Sequence, residues 1–159
     1  MQLAIKNHWI SLGGSSSVQD MNGNDVLKVE GAIFTFTQKK FLKTLEGRQL
    51  YTIRNKFFSF LGRTAFVLDE GNHVVATVRK KLISLHDRYF VESSIGQMEI
   101  IGNVLGYDYH IIVDGKEVGH IARKISLRDS FVLDIDDSFD HRFFVALVIA
   151  IDNVTDRRR

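Results

Sequence analysis

Ile53-Arg-Asn-Lys-Phe-Phe-Ser-Phe60 returns as Val78-Arg-Lys-Lys-Leu-Ile-Ser-Leu85, and an earlier copy reads Ile5-Lys-Asn-His-Trp-Ile-Ser-Leu12. Weaker copies read Val29-Glu-Gly-Ala-Ile-Phe-Thr-Phe36 and Ile100-Ile-Gly-Asn-Val-Leu-Gly-Tyr107, and a copy one residue shorter reads Ile121-Ala-Arg-Lys-Ile-Ser-Leu127. The spacing is about 24 residues, and recurrence at a fixed distance of this size marks one supersecondary unit used several times.

Between the echoes lie turn signals: Asp20-Met-Asn-Gly23, Glu46-Gly47, Asp69-Glu-Gly71, Ile95-Gly96 and Asp114-Gly115. Gly reaches positive φ without penalty and Asp or Asn bonds its own backbone, which is hairpin chemistry. The flanks are rich in Val, Ile, Phe, Tyr and Thr, as in Thr64–Leu68, His73–Val78, Tyr89–Val91 and Tyr109–Val113. They predict strands of about five to eight residues. Each unit therefore reads as strand, tight turn, strand, with the echo as connection to the next hairpin. Six units give about twelve strands, and a single open sheet of that width curls or exposes its edges, so closure into a barrel is expected. Gly13-Gly-Ser-Ser-Ser17 reads as a loop within the first unit.

The last segment breaks the pattern. Ser130–Ile135 reads as a strand, and after the acids Asp136, Asp137 and Asp140 comes a run, Phe143–Ile151, that is apolar on every side. Acids before the run and Arg157, Arg158 and Arg159 after it suit the two ends of a helix. Ala146 and Ala150 stand four apart, and helix is preferred to a continuous strand. A membrane span needs about 20 apolar residues, and this run is shorter. A helix of about 15 residues is about 22 Å long, and strands of six or seven residues are about 20 Å. A buried helix threading a barrel of that height satisfies both lengths.

At 159 residues, one domain over 1–159 is expected, with strands over about 3–135 and the helix over about 138–154. The chain is 45% hydrophobic and 25% charged, which excludes disorder on composition. With no Cys there is no disulfide and no thiolate metal site, which fits a reducing cytosol. No apolar stretch follows Met1, so no signal peptide is expected.

Twelve strands, the I-K-x-K-x-x-S-L echo, the D-x-x-G turns and the closing Val145-Ala-Leu-Val-Ile-Ala-Ile-Asp152 resemble the LURP-one-related family, within the tubby C-terminal-like superfamily and with phospholipid scramblases as relatives. The resemblance covers essentially the whole chain. It implies a twelve-stranded antiparallel barrel around a central C-terminal helix. Tubby domains bind phosphoinositides through basic surface residues, and scramblases act on membrane lipids with calcium. This chain lacks the Cys and the Pro-rich arm of scramblases, and no D-x-D-x-D calcium loop occurs.

An up-and-down barrel gathers all tight turns at one end and all echoes at the other. The turns carry Asp20, Asp25, Glu46, Asp69, Glu70, Asp114, Glu117, Asp136 and Asp137. The echoes carry Lys6, Arg54, Lys56, Arg79, Lys80, Lys81, Arg123 and Lys124, and the following strand starts add Lys39, Lys40, Arg63, Arg88 and Arg128. A chain of net charge +2 is thus expected to be polarised, with Glu30, Asp87 and Asp129 diluting the basic end. Charges at strand ends ordinarily serve solubility. The functional expectation is an anion-binding rim made of the eight echo cations. Anionic membrane lipid is its first partner, a protein partner the alternative, and nucleic acid more remote. Trp9, Phe57, Phe58 and Leu82 sit beside these cations and are expected to pack under the connections, insertion at an interface being the alternative.

Catalytic patterns are missing. The six histidines show no H-x-x-x-H spacing, and there is no G-x-S-x-G, Walker A or G-x-G-x-x-G. Asp108 and His110 share a strand face and His141 follows Asp140, pairings frequent by chance. A helix filling the lumen leaves little room for a pocket. The sequence therefore points to a non-enzymatic module without cofactor or metal, cytoplasmic or peripheral at a membrane.

Overall fold

Among the described residues, His141–Thr155 form the single helix, α1, and its Phe143–Ile151 stretch is buried without interruption. A helix with no polar stripe must be covered on all sides, and the rest of the chain supplies the cover. The computed structural model describes residues 1–6, 14–32, 36–57, 63–103, 108–124 and 130–155. Within them lie β1 (Gln2–Lys6), β2 (Ser15–Gln19), β3 (Asp25–Gly31), β4 (Lys40–Lys43), β5 (Gln49–Asn55), β6 (Thr64–Leu68), β7 (Val74–Lys80), β8 (Arg88–Ser93), β9 (Gly96–Gly102), β10 (Asp108–Val113), β11 (Lys116–Lys124) and β12 (Ser130–Ile135). Each strand pairs antiparallel with its sequence neighbours and β1 closes on β12, so the twelve form a closed barrel around α1.

The register rises evenly round the ring. Val29 pairs with Leu42 and Leu42 with Tyr51, two residues short of Ile53. Ile53 pairs with Val67, two residues from Ala65, the partner of Val78. Val78 pairs with Val91, two from Tyr89, the partner of Ile100. The same step leads to Ile121 through Tyr109 and on to Ile5 through Phe131. A uniform stagger of this kind makes the strands of a closed barrel tilt, by about 35–45°. It sets Ile5, Val29, Ile53, Val78, Ile100 and Ile121, the first residue of each echo, at equivalent buried positions on the odd strands. The echo is therefore not purely a connection: its first residues finish a strand and only the remainder leaves the sheet.

Three turns share one wiring. Asp20, Thr44 and Asp69 each donate their backbone N–H to the carbonyl four residues on, at Asn24, Arg48 and His73. Each side-chain oxygen accepts the N–H of that same residue. The fourth position needs positive φ and is taken by Gly23, Gly47 and Asn72. That is why Asn72 rather than Gly71 adopts it, although Gly71 is the sequence signal. The loop expected at Gly13–Ser17 is corrected in part. Ser15, Ser16 and Ser17 pair with Glu30, Val29 and Lys28 as the start of β2, because cross-strand pairing overrides weak β propensity. Gly13 lies outside the described residues.

Both ends of α1 are satisfied by the barrel. Asp140 caps its start, the carboxylate accepting the Arg142 N–H at 3.0 Å. At its end Asp152 pairs with Lys40 of β4 at 3.2 Å, both largely buried. Asn153 donates to the Gln38 carbonyl, and Asn55 and Arg63 reach the carbonyls of Asn153 and Val154. Arg157–Arg159 lie outside the described residues. The cations described at this helix end come instead from Lys40 of β4 and from Arg63, just before β6.

Two outcomes follow. Ala146→Arg puts an unpaired guanidinium where the wild-type residue has no exposed surface. That cost consumes most of a domain stability of about 5–15 kcal/mol, so the variant should show no cooperative melt by circular dichroism. Asp152→Ala strands the Lys40 ammonium and should lower stability by about 2–4 kcal/mol in urea unfolding, most of it regained when Lys40→Met is added.

Candidate functional site

The six odd-to-even connections and the end of α1 share one end of the barrel, the loop end, and the five even-to-odd turns share the other. Period-two alternation along the strands then divides the eight echo cations.

Ile53 is buried, so Arg54 faces outward, its guanidinium 5.1 Å from the Phe66 ring. Lys56, one step beyond β5, donates its backbone N–H to Thr64, which pairs with Arg79. Arg79 faces outward and holds Glu92 at 2.9 Å, and Lys81 is exposed just past the end of β7. Arg54, Lys56, Arg79 and Lys81 therefore form one patch across β5, β6 and β7. Among the described residues no ion pair involves Lys56 or Lys81.

Lys80 and Arg123 face inward instead. Lys80 sits 2.8 Å from Asp87 and over the Tyr89 ring. Tyr89 shares a 2.7 Å hydrogen bond with Thr155 at the end of α1, and burial pushes its phenol up beyond the ordinary tyrosine range. Burial also pushes Tyr109 up to about 12, with the nearby Asp87 charge adding to it and Arg123 opposing it. Gly102 lets this group close: a Cβ there would lie 2.7 Å from the Tyr109 ring. Lys6 and Lys124 face outward on either side of Ser130. In a ring of twelve strands, β1, β11 and β12 stand opposite β5–β7. The eight cations thus form two outward groups on opposite sides and an inward pair.

The expectation that Phe57 and Leu82 pack under their connections is corrected, while Trp9 and Phe58 lie outside the described residues. Phe57 is 61% and Leu82 63% exposed, and Phe36, Ile83 and Leu85 are 82%, 89% and 91% exposed. Phe36 and Phe57 meet edge to face at 6.3 Å. All five sit on the connections after β3, β5 and β7, the side that carries the four-cation patch. Ile83, Leu85 and Phe36 lie within the quoted echoes, but their exposure is not readable from apolar character alone.

At the turn end, a cleft of about 290 Å³ is lined by Arg48, Leu50, Tyr51, Asp69, Glu70, Gly71, Asp140 and Arg142. Burial raises the Tyr51 phenol, and the Asp140 charge raises it further. The charges of this cleft are largely taken up locally. Arg48 lies 3.6 Å from Glu70, Asp140 caps α1, and Asp69 is held below the usual carboxylate range by N–H donors of its own turn. On the wall, the His110 and His120 rings meet at a tilt across β10 and β11, paired with Glu117 at 2.9 Å and Asp108 at 3.6 Å. Asp108 thus partners His120 rather than its strand neighbour His110. Among the described residues no three His, Asp or Glu side chains gather as a ligand set, and no helix is long and apolar enough to cross a membrane.

A sequence model described as LURP-one-related matches residues 1–152. The uncharacterized protein YxjI of Bacillus subtilis (strain 168) is 28% identical over 156 residues, which cover 97% of this chain and 93% of that protein. No solved structure gives a significant match. The matched span runs from β1 into the last turn of α1, covering the whole barrel, and the chain belongs to the LURP-one-related family.

Proposed function

We propose that this protein is a non-enzymatic module that docks the β5–β7 side of its loop end onto an anionic phospholipid surface. The observation that carries this reading is the outward grouping of Arg54, Lys56, Arg79 and Lys81 across three adjacent strands. Each cation near an anionic leaflet contributes about 1 kcal/mol, so the patch supplies weak, reversible, salt-sensitive attachment. Anionic lipid is richest on cytoplasmic leaflets, which makes the reading one of a peripheral cytoplasmic protein. Lys80 and Arg123 are assigned to the seat of α1 and not to the lipid.

Co-sedimentation with neutral phosphatidylcholine vesicles and with vesicles containing phosphatidylserine tests it, each at low and high salt. Binding is expected only to the anionic vesicles and should weaken as salt shortens the screening length from about 10 Å at 0.1 M to about 3 Å at 1 M. Arg54→Ala, Lys56→Ala and Lys81→Ala together should weaken binding about a hundredfold. Lys6→Ala with Lys124→Ala, on the opposite side, should leave it nearly unchanged. Equal binding to neutral vesicles, or none to either, overturns the reading and turns the search to protein partners.

A further inference from the structure

The connection from Lys81 to Asp87 is the most exposed apolar segment among the described residues, and it is anchored at both feet. At its base Lys80 grips Asp87 at 2.8 Å, the Lys81 N–H donates to the Arg88 carbonyl at 2.8 Å, and the Gly102 N–H donates to the Asp87 carbonyl at 2.7 Å. Between these anchors every residue from Leu82 to His86 is exposed. Leu82 is thus about two-thirds exposed and Ile83 and Leu85 almost wholly so, three large aliphatic side chains presented to water. Beside the segment, Phe57 of the neighbouring connection is exposed too, next to Lys56.

We propose that the 81–87 connection is a membrane-inserting finger. Leu82, Ile83 and Leu85 enter the boundary between headgroups and acyl chains of an anionic bilayer, while Lys81 and Lys56 stay at the phosphates. This rests on the reading of the β5–β7 side as lipid-facing and adds a specific apolar contribution to it. A bilayer fits better than the other apolar partners. A second copy docked by the same face would bring the Lys56 and Lys81 groups of both copies together across the two-fold axis. A rigid protein groove would need a shape matched to the projecting Ile83 and Leu85 tips, whereas a fluid interface closes around them. Cations beside apolar tips are the composition of an interfacial segment: the charges meet the anionic surface and the side chains leave water below it.

The chain has no native cysteine, so single probes report without background. Ile83→Cys and Leu85→Cys, with Met21→Cys in the opposite-end turn as control, are each labelled with an environment-sensitive fluorophore. Each is mixed with phosphatidylserine-containing vesicles, with and without lipids brominated on the acyl chain. Blue-shifted, bromine-quenched emission at positions 83 and 85 but not 21 is the expected result. In unlabelled protein, Leu82→Ser, Ile83→Ser and Leu85→Ser together should reduce binding at high salt about a hundredfold, with an unchanged melting temperature because the three side chains contact no core. Co-sedimentation with probes still in an aqueous environment overturns the finger and leaves the basic face standing. Loss of co-sedimentation altogether overturns both. Probes shielded without vesicles, with a concentration-dependent dimer in the ultracentrifuge, assign the finger to self-association and overturn the bilayer.

Discussion

Everything in this molecule answers to one constraint, the burial of α1 on every side. A helix without a polar stripe needs a sheath whose wall stands at packing distance all the way round. Twelve strands spaced about 4.8 Å apart and tilted by about 35–45° make a ring roughly 11–13 Å in radius. That places the wall near the distance of about 10 Å at which two layers of side chains pack. Eight strands leave an interior filled by their own side chains, and sixteen or more leave a water channel. The helix and the strand number are therefore two statements of one fit, and the even two-residue stagger closes the ring at the tilt the fit requires.

The same constraint sorts the charges. A helix inside a barrel brings its unpaired terminal N–H and C=O groups into confined ends, where inward-facing side chains must meet them. Asp140 does so at the start, and Asn55, Arg63 and the Lys40–Asp152 pair at the finish. Lys80 and Arg123 belong to this inward set by parity. Each stands two residues beyond a buried core position, Val78 or Ile121, and strand alternation gives it the same side. The cations one residue along, or just outside the strand, face solvent. A single-residue offset thus separates cations that seat the helix from cations available to a ligand.

Much of this was legible before any coordinates. The turn tetrads, the apolar alternation and the run Phe143–Ile151 led to twelve strands and a central helix, since each is a local signal with a local cause. Parity was legible as well, because Val78 to Lys80 is two steps; treating the echo as a connection rather than a strand end hid it. Position round the ring follows from meander order, so the opposed placement of Lys6 and Lys124 against Arg54 and Lys56 was available in principle once closure was accepted. Other features were not available. Ser15–Ser17 become strand only through partners on β3, and Asn72 displaces Gly71 because the turn is counted from Asp69. An apolar residue in a connection carries no local mark that separates packing beneath a loop from projecting off it.

The two ends of the barrel then differ for physical reasons that bear on docking. Turns wired through Asp20, Thr44 and Asp69 are short and self-satisfied, and the side-chain oxygens of these residues are committed to backbone N–H groups. They leave an acidic end with little adhesive chemistry. The loop end carries the opposite sign and, among the described residues, apolar tips on the β3–β8 side. Because net charge is +2, the attraction of such a molecule to an anionic surface comes from the separation of charge along the barrel axis and not from its sum. A molecule polarised this way turns its acidic end from the surface before contact. In the proposed docking, the β5–β7 patch, off the axis, then selects a tilt that brings the connections after β3, β5 and β7 down first. Orientation in the proposed encounter is thus set by long-range charge and finished by short-range apolar contact, and the buried helix holds both groups on a scaffold stiff enough to keep them on one side.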